Sequence, residues 1–203
     1  MNIGILASGR GSNMEALIDA CQDGRIPARV SLVLSDRAGA GALETARAKG
    51  ITAHHLDPKP YDSREAYDRA LVDELRKAGV DLVCLAGYMK LVSSAFIDPF
   101  AGRVLNIHPS LLPSFPGLSA QSQALAYGAK VSGCTVHIVE LAMDSGPVVM
   151  QAAVAVEDGD DEHTLGARIL EQEHRIYVES VRRFVDGELK VDGRHVRHVP
   201  QGG

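Results

Sequence analysis

The sequence predicts an α/β fold: a doubly wound, mostly parallel sheet with an antiparallel extension toward the C-terminus. Three observations carry the prediction. Short apolar runs alternate with amphipathic stretches through the first half of the chain, the pattern of strands joined by crossover helices. The run 81–86 contains Leu-Val-Cys-Leu-Ala, apolar on both faces as a central parallel strand requires. Later, two strand-like runs, 132–139 and 148–156, are separated by a short loop containing Gly146 and Pro147, a hairpin rather than a crossover.

Taken in order, 2–7 is a buried strand entered at once. Ser8-Gly9-Arg10-Gly11-Ser12-Asn13 is the turn after it, and 14–22 is a helix with Met14, Leu17, Ile18 and Cys21 on one stripe. A strand at 30–34 closes in Ser35-Asp36-Arg37. A helix at 40–49 ends at Gly50, and a third strand follows at 51–56. After a proline-containing loop, Ser63 caps a helix to about residue 78, with Glu65 and Asp68 in its first turns. The strand 81–86 then leads to Gly87. A short helix is expected at 93–98, a fifth strand at 103–107, a helix at 119–127 and the longest helix at 164–184. The run 132–139 shows period-2 alternation, with Cys134, Val136 and Ile138 against Thr135, His137 and Val139. A short strand at 189–191 is the one element expected in the polar tail. No linker signal divides the chain, so 1–203 reads as a single domain.

The 203 residues are 45% hydrophobic and 23% charged, enough for one sizeable core or two small ones. The net charge is −5 and there is no Lys/Arg block, which argues against nucleic acid or an anionic membrane as partner. Cys21, Cys84 and Cys134 are far apart and flanked by apolar residues, as reduced buried thiols are. A cytoplasmic protein is expected, since the N-terminus lacks the features of a signal peptide. No histidine pair has metal-ligand spacing, so no metal is expected.

Chemistry concentrates in Asn106-Ile107-His108-Pro109-Ser110-Leu111-Leu112-Pro113-Ser114-Phe115-Pro116-Gly117. Asn106 and His108 are two apart at a strand end, hence on one face, and prolines stiffen the loop after them. Histidine can donate to a developing oxyanion or shuttle a proton, and Asn106 can add a neutral donor. The acid wanted beside the imidazole is Asp144, in Met143-Asp144-Ser145-Gly146-Pro147; its plain alternative is a turn aspartate bonding its own backbone. His137, His54 and His55 read as packing or edge residues, and His163 as part of a capping turn. The Ser8–Asn13 turn, with glycines two apart at a helix start, suits an anion. The alternative is a tight βα turn capped by Ser12. Met14 stands where the dinucleotide fingerprint has its third glycine, so a nicotinamide-dependent oxidoreductase is disfavoured, and Asp36 is a weak ribose candidate. Gly87-Tyr88-Met89-Lys90-Leu91-Val92 could line a slot for a flat ring, though core under a loop is the more ordinary reading. Glu173 falls mid-helix, where a solvated face is the ordinary expectation.

These motifs together, with Leu85-Ala86-Gly87-Tyr88-Met89-Lys90 and Gly133-Cys134-Thr135-Val136-His137, resemble the phosphoribosylglycinamide formyltransferases, folate-dependent enzymes of purine synthesis. The likeness runs collinearly from Met1 to about Gly187. The Asn-x-His-Pro-Ser-Leu-Leu-Pro element is shared with other formyltransferases and with a formyltetrahydrofolate hydrolase, which carries a regulatory domain in front; methionyl-tRNA formyltransferase carries a further C-terminal domain. Neither addition is seen in this sequence, and the phosphate turn is kept. The resemblance implies formyl transfer from 10-formyltetrahydrofolate to glycinamide ribonucleotide, with hydrolase-like deformylation as the alternative and a non-catalytic folate or nucleotide module as a further one. It implies a phosphate-binding half at 1–100, a catalytic and folate-binding half at 101–187, and a polar tail at 188–203, in a monomer or homodimer. Gly11, Ser12 and Asn13 would hold the ribose-phosphate, and Glu173 the ribose or amine end. Met89, Lys90, Leu91 and Val92, with Glu140, Leu141, Ala142, Met143 and Asp144, would hold the pterin. Arg64 would lie near the benzoylglutamate. Asn106, His108 and Asp144 would be the catalytic set. Ser119, Ser122 and Leu170 depart from the residues often found there, which bears on substrate or folate affinity and not on the catalytic three.

Overall fold

In the computed structural model, which describes residues 1–199, the apolar run that opens the chain is strand β1 (Asn2–Leu6). It is followed by α1 (Ser12–Gln22), β2 (Arg29–Ser35), α2 (Gly41–Ala48), β3 (Ala53–His55), α3 (Arg64–Lys77), β4 (Leu82–Leu85), α4 (Ser94–Ile97) and a 3-10 turn at Asp98–Phe100. Strand β5 (Val104–His108) comes next, and the chain divides within it into two units, Met1–Asn106 and a second that begins at Ile107.

In the first unit the strands are parallel and ordered β3-β2-β1-β4-β5. The order reverses between β1 and β4, the topological switch point beyond whose strand ends such sheets bind ligands. The two central strands read as expected: Ile3, Ile5, Leu6, Leu82, Val83 and Cys84 are fully buried, so both faces are covered. Ser63 caps α3, its Oγ accepting from the Ala66 N–H at 3.1 Å.

The second unit holds α5 (Ala120–Tyr127), β6 (Val131–Ile138), β7 (Val148–Ala155), α6 (Glu162–Val185), β8 (Leu189–Asp192) and β9 (His195–His198). β6 and β7 are the expected antiparallel hairpin, β9 runs parallel to β7, and β8 pairs antiparallel with β9. α6 packs on β6 and β7. It opens in a capping box between Asp161 and Thr164 and buries Leu165, Ile169, Glu173, Ile176, Tyr177, Ser180 and Val181 along one stripe. Among the described residues no helix is long and apolar enough to cross a membrane.

Several expectations need correction. His108 is the last residue of β5 rather than the residue after it, because the strand runs up to Pro109. Ser12 does not cap α1; Gly11 occupies that position with φ 84, and no side chain bonds there. β6 is buried on both faces from Ser132 on, Thr135 and His137 included, so its period-2 alternation does not separate a buried face from a solvated one. β9 has no counterpart in the sequence reading, since His-Val-Arg-His offers no apolar face. Residues 200–203 of the polar tail lie outside the described residues.

Candidate active site

His108 is delivered by β5 into a buried position, 5% exposed. The loop after it is anchored to β6 by Thr135. Its Oγ1 donates to the Ser110 carbonyl at 2.7 Å, accepts from the Leu112 N–H at 3.0 Å and from Gln151 Nε2 at 2.9 Å. Ser110 Oγ donates to the Ser114 carbonyl at 2.5 Å, and Leu112-Pro113 is a cis peptide bond. The segment is thereby bent so that the Phe115 carbonyl meets His108 Nε2 at 2.9 Å.

On the other side of the ring, His108 Nδ1 is 3.5 Å from Asp144 Oδ2, both side chains nearly buried. The same oxygen accepts from the Gly117 N–H at 2.8 Å. Asp144 Oδ1 is 3.7 Å from Nε2 of His137, whose Nδ1 is 3.1 Å from the Ile138 carbonyl. Burial penalises the Asp144 carboxylate, but His137, the Gly117 amide and His108 together outweigh it and hold its pKa below the ordinary value. The aspartate sits at φ 50, a left-handed backbone that is rare outside glycine and best tolerated by Asn and Asp. Gly146 makes the loop's return possible: a Cβ there would lie 1.8 Å from the Ile138 carbonyl oxygen. Both ring nitrogens of His108 therefore face acceptors, an arrangement that an imidazolium satisfies with its two N–H groups. The chemistry on offer is a buried ring N–H donor held in place by an acid.

Asn106, two residues before His108 on β5, is the last residue of the first unit and is half-buried. In that unit Gly11 starts α1 with its Cα close against Ala42, where a Cβ would come within 2.7 Å of Ala42 Cβ. Asn13 is buried and Ser12 half-buried. Met89, Lys90 and Leu91 are exposed, Met89 by 55%, and Val92 is half-buried, so the ordinary reading of core under a loop is overturned. Arg64 is exposed at the first turn of α3. In the second unit Glu140, Leu141, Ala142 and Met143 are exposed. Glu173 is 8% exposed, not on a solvated face. Burial and then the nearby Glu173 push the Cys134 thiol up to about 12, which leaves it inert as a nucleophile. Sequence reasoning missed His137 as a neighbour of Asp144, and Thr135 and Ser110 as anchors. Period-2 spacing was the available signal, since residues 135 and 137 share a face of β6.

The sequence pattern of the family described as formyl transferase matches residues 1–181. The chain belongs to this family. It is 49% identical over 209 residues to the phosphoribosylglycinamide formyltransferase of Escherichia coli strain K12, covering 100% of this chain and 98% of the relative. It superposes on a glycinamide ribonucleotide transformylase 1 of Symbiobacterium toebii with a TM-score of 0.98 and 55% identity, over 98% of this chain and 94% of the other. A formyltetrahydrofolate deformylase of Pseudomonas syringae shares the fold at TM-score 0.91 and 22% identity, over 98% of this chain and 66% of the other. The mixed sheet, parallel first and antiparallel toward the C-terminus, is the architecture of the formyl transferase family.

Proposed function

We propose that this chain transfers the formyl group of 10-formyltetrahydrofolate to the amine of glycinamide ribonucleotide, a step of purine biosynthesis. Family membership and the names of its relatives support the reaction class. The observation that carries the assignment of roles is the buried pair of His108 and Asp144 at 3.5 Å. Asp144 keeps the imidazole charged, and the imidazolium donates to the formyl oxygen as negative charge develops there, with the Asn106 amide as second donor.

The amine nitrogen of the ribonucleotide attacks the formyl carbon. A C–N bond forms as the carbonyl π pair moves to oxygen. Collapse of that oxyanion expels N10, and the proton lost by the amine reaches N10 by way of Asp144 and water. The products are the formylated ribonucleotide and tetrahydrofolate, with no covalent enzyme intermediate. Because His108 Nε2 is engaged by the Phe115 carbonyl, the donated N–H has to turn from that carbonyl to substrate.

Gly11, Ser12 and Asn13 take the ribose-phosphate through backbone amides at a helix start, and Glu173 the ribose or amine end. Met89, Lys90, Leu91 and Val92, with Glu140, Leu141, Ala142 and Met143, take the pterin, and Arg64 the glutamate end. The exposure of Met89, Leu91, Leu141 and Met143 supports this, since apolar side chains left in water are available to cover a flat ring. The test is a formyl-transfer assay with both substrates and product analysis. Formylated ribonucleotide supports the reading; formate released with or without the ribonucleotide replaces it with deformylation.

A further inference from the structure

The segment proposed to hold the pterin is exposed at its tip, yet the backbone at both of its ends is held by buried side chains. At the start, the Ser8 N–H donates to the Gly87 carbonyl at 3.1 Å. The Met89 N–H donates back to Ser8 Oγ at 2.9 Å. A hydroxyl that accepts from an amide keeps its single proton for another partner. Ser8 spends it on Asp36 Oδ1 at 2.6 Å. At the end of the segment, Asp68 Oδ2 accepts from both the N–H and the hydroxyl of Ser93, each at 2.6 Å. Ser8 is 2% exposed, Asp68 1% and Ser93 7%. Two carboxylates from different elements, one after β2 and one on α3, thus converge on a single seven-residue segment, 87–93. Neither has an evident role in formyl chemistry.

Geometry assigns a purpose to the arrangement. Ser8 follows β1 and Gly87 follows β4, the two strands at which the sheet order reverses. Ser8 also opens the turn that runs on to Gly11, Ser12 and Asn13. One hydroxyl therefore ties the anion turn to the ring segment. A loop with exposed apolar side chains and unfixed ends would lose ordering entropy on binding a ring, whereas a loop already held loses little.

We propose that Ser8, Asp36 and Asp68 are positioning residues that hold the 87–93 backbone in its folate-binding form, with Ser8 coupling that segment to the phosphate turn. The proposal rests on the folate reading above. The carboxylates act as acceptors that fix serine donors, so the acceptor oxygen matters and the charge does not. Asp36→Asn, with its side-chain oxygen toward Ser8, keeps the acceptor; Asp36→Ala removes it.

The test has two arms. In the first, the unaltered protein is titrated with tetrahydrofolate and assayed with 10-formyltetrahydrofolate; absence of both binding and turnover overturns the folate reading itself. In the second, Asp36→Ala, Asp36→Asn and Ser93→Ala are compared by steady-state kinetics and by amide exchange at Met89. Asp36→Ala is expected to raise KM for the folate about five- to tenfold, raise KM for the ribonucleotide less, change kcat by less than about twofold, and speed exchange at Met89 about tenfold; these ranges correspond to losing one buried hydrogen bond. Asp36→Asn is expected within about twofold of the unaltered protein in all four, because the acceptor survives. Ser93→Ala, which loses one of two bonds to Asp68, is expected to raise KM for the folate alone. If tetrahydrofolate binds the unaltered protein but Asp36→Ala leaves its KM and Met89 exchange unchanged, or if Asp36→Asn is as damaging as Asp36→Ala, the positioning role is wrong. Should Asp36→Ala fail to fold, Ser93→Ala and Asp36→Asn decide by the same criteria.

Discussion

The two units bring different means to recognition. In Met1–Asn106 the candidate binding groups are mostly backbone: a glycine at φ 84 starts α1, and the 87–93 segment is fixed through its amides. In the unit that begins at Ile107 the candidate groups are ionisable side chains, with His108 and His137 both against Asp144 and little exposed to solvent. Backbone recognition depends on conformation and is indifferent to most side-chain exchanges on the surface. Side-chain chemistry depends on identity, and a single atom change removes it. Asn106 apart, which closes the first unit, substitutions in the second unit are therefore expected to strike turnover, and those in the first to strike binding and stability.

The largest effect should come from His108→Ala or Asn106→Ala, each lowering kcat on the order of 100-fold or more, since an oxyanion donor is lost. Steady-state kinetics checks this, and turnover near the unaltered rate would remove both residues from the chemistry. Next, Gly146→Ala should lower kcat and thermal midpoint together. Its Cβ would lie 1.8 Å from a backbone oxygen, so the loop bearing Asp144 has to move, at about 1–3 kcal/mol in stability. An unchanged midpoint by calorimetry would mean the loop yields without cost.

Gly11→Ala tests the backbone side of the comparison. The left-handed φ costs about 1–2 kcal/mol once a Cβ is present, and Ala42 crowds it further. The midpoint should fall and KM for the ribonucleotide rise, with kcat less affected; a change confined to kcat would break the contrast between the units.

Asp144 gives a prediction in pH. Its folded pKa lies below the ordinary value, so the unfolded chain binds the proton first as pH falls. Its contribution to stability is complete above about pH 4 and is lost as pH drops through the folded value. In denaturant unfolding, the gap between the unaltered protein and Asp144→Asn should shrink as pH falls from about 5 and close below about pH 4. A gap that closes near neutrality instead would assign the titration to a histidine. The smallest effect belongs to Arg64→Ala: the side chain is exposed, so KM for the folate should rise about fivefold at most, the scale of one exposed ion pair.

Sequence periodicity found every strand of the first unit within a few residues, because buried parallel strands are short, apolar and bounded by turn residues. The candidate set was also readable, since Asn106 and His108 stand out by their spacing and Asp144 by its glycine-shaped loop. What could not be read was pairing at long range. Ser8 and Met89 lie 81 residues apart, and nothing local marks Asp36 or Asp68 as their supports. His137 was taken for packing because its partner is across a hairpin loop rather than beside it. β9 was missed because it is a surface ribbon whose residues pair through backbone and bury no side-chain face.

The left-handed backbone at Asp144 also restricts what this position can become over a lineage. Glutamate carries the same charge but gains nothing from the short-range polar contacts that let Asn and Asp adopt such a conformation. Asparagine fits the backbone and forfeits the charge, and glycine forfeits both charge and hydrogen bonds. Two independent filters, one on conformation and one on electrostatics, overlap at a single letter of the alphabet. Every single substitution at this position therefore gives up the conformation, the charge or both.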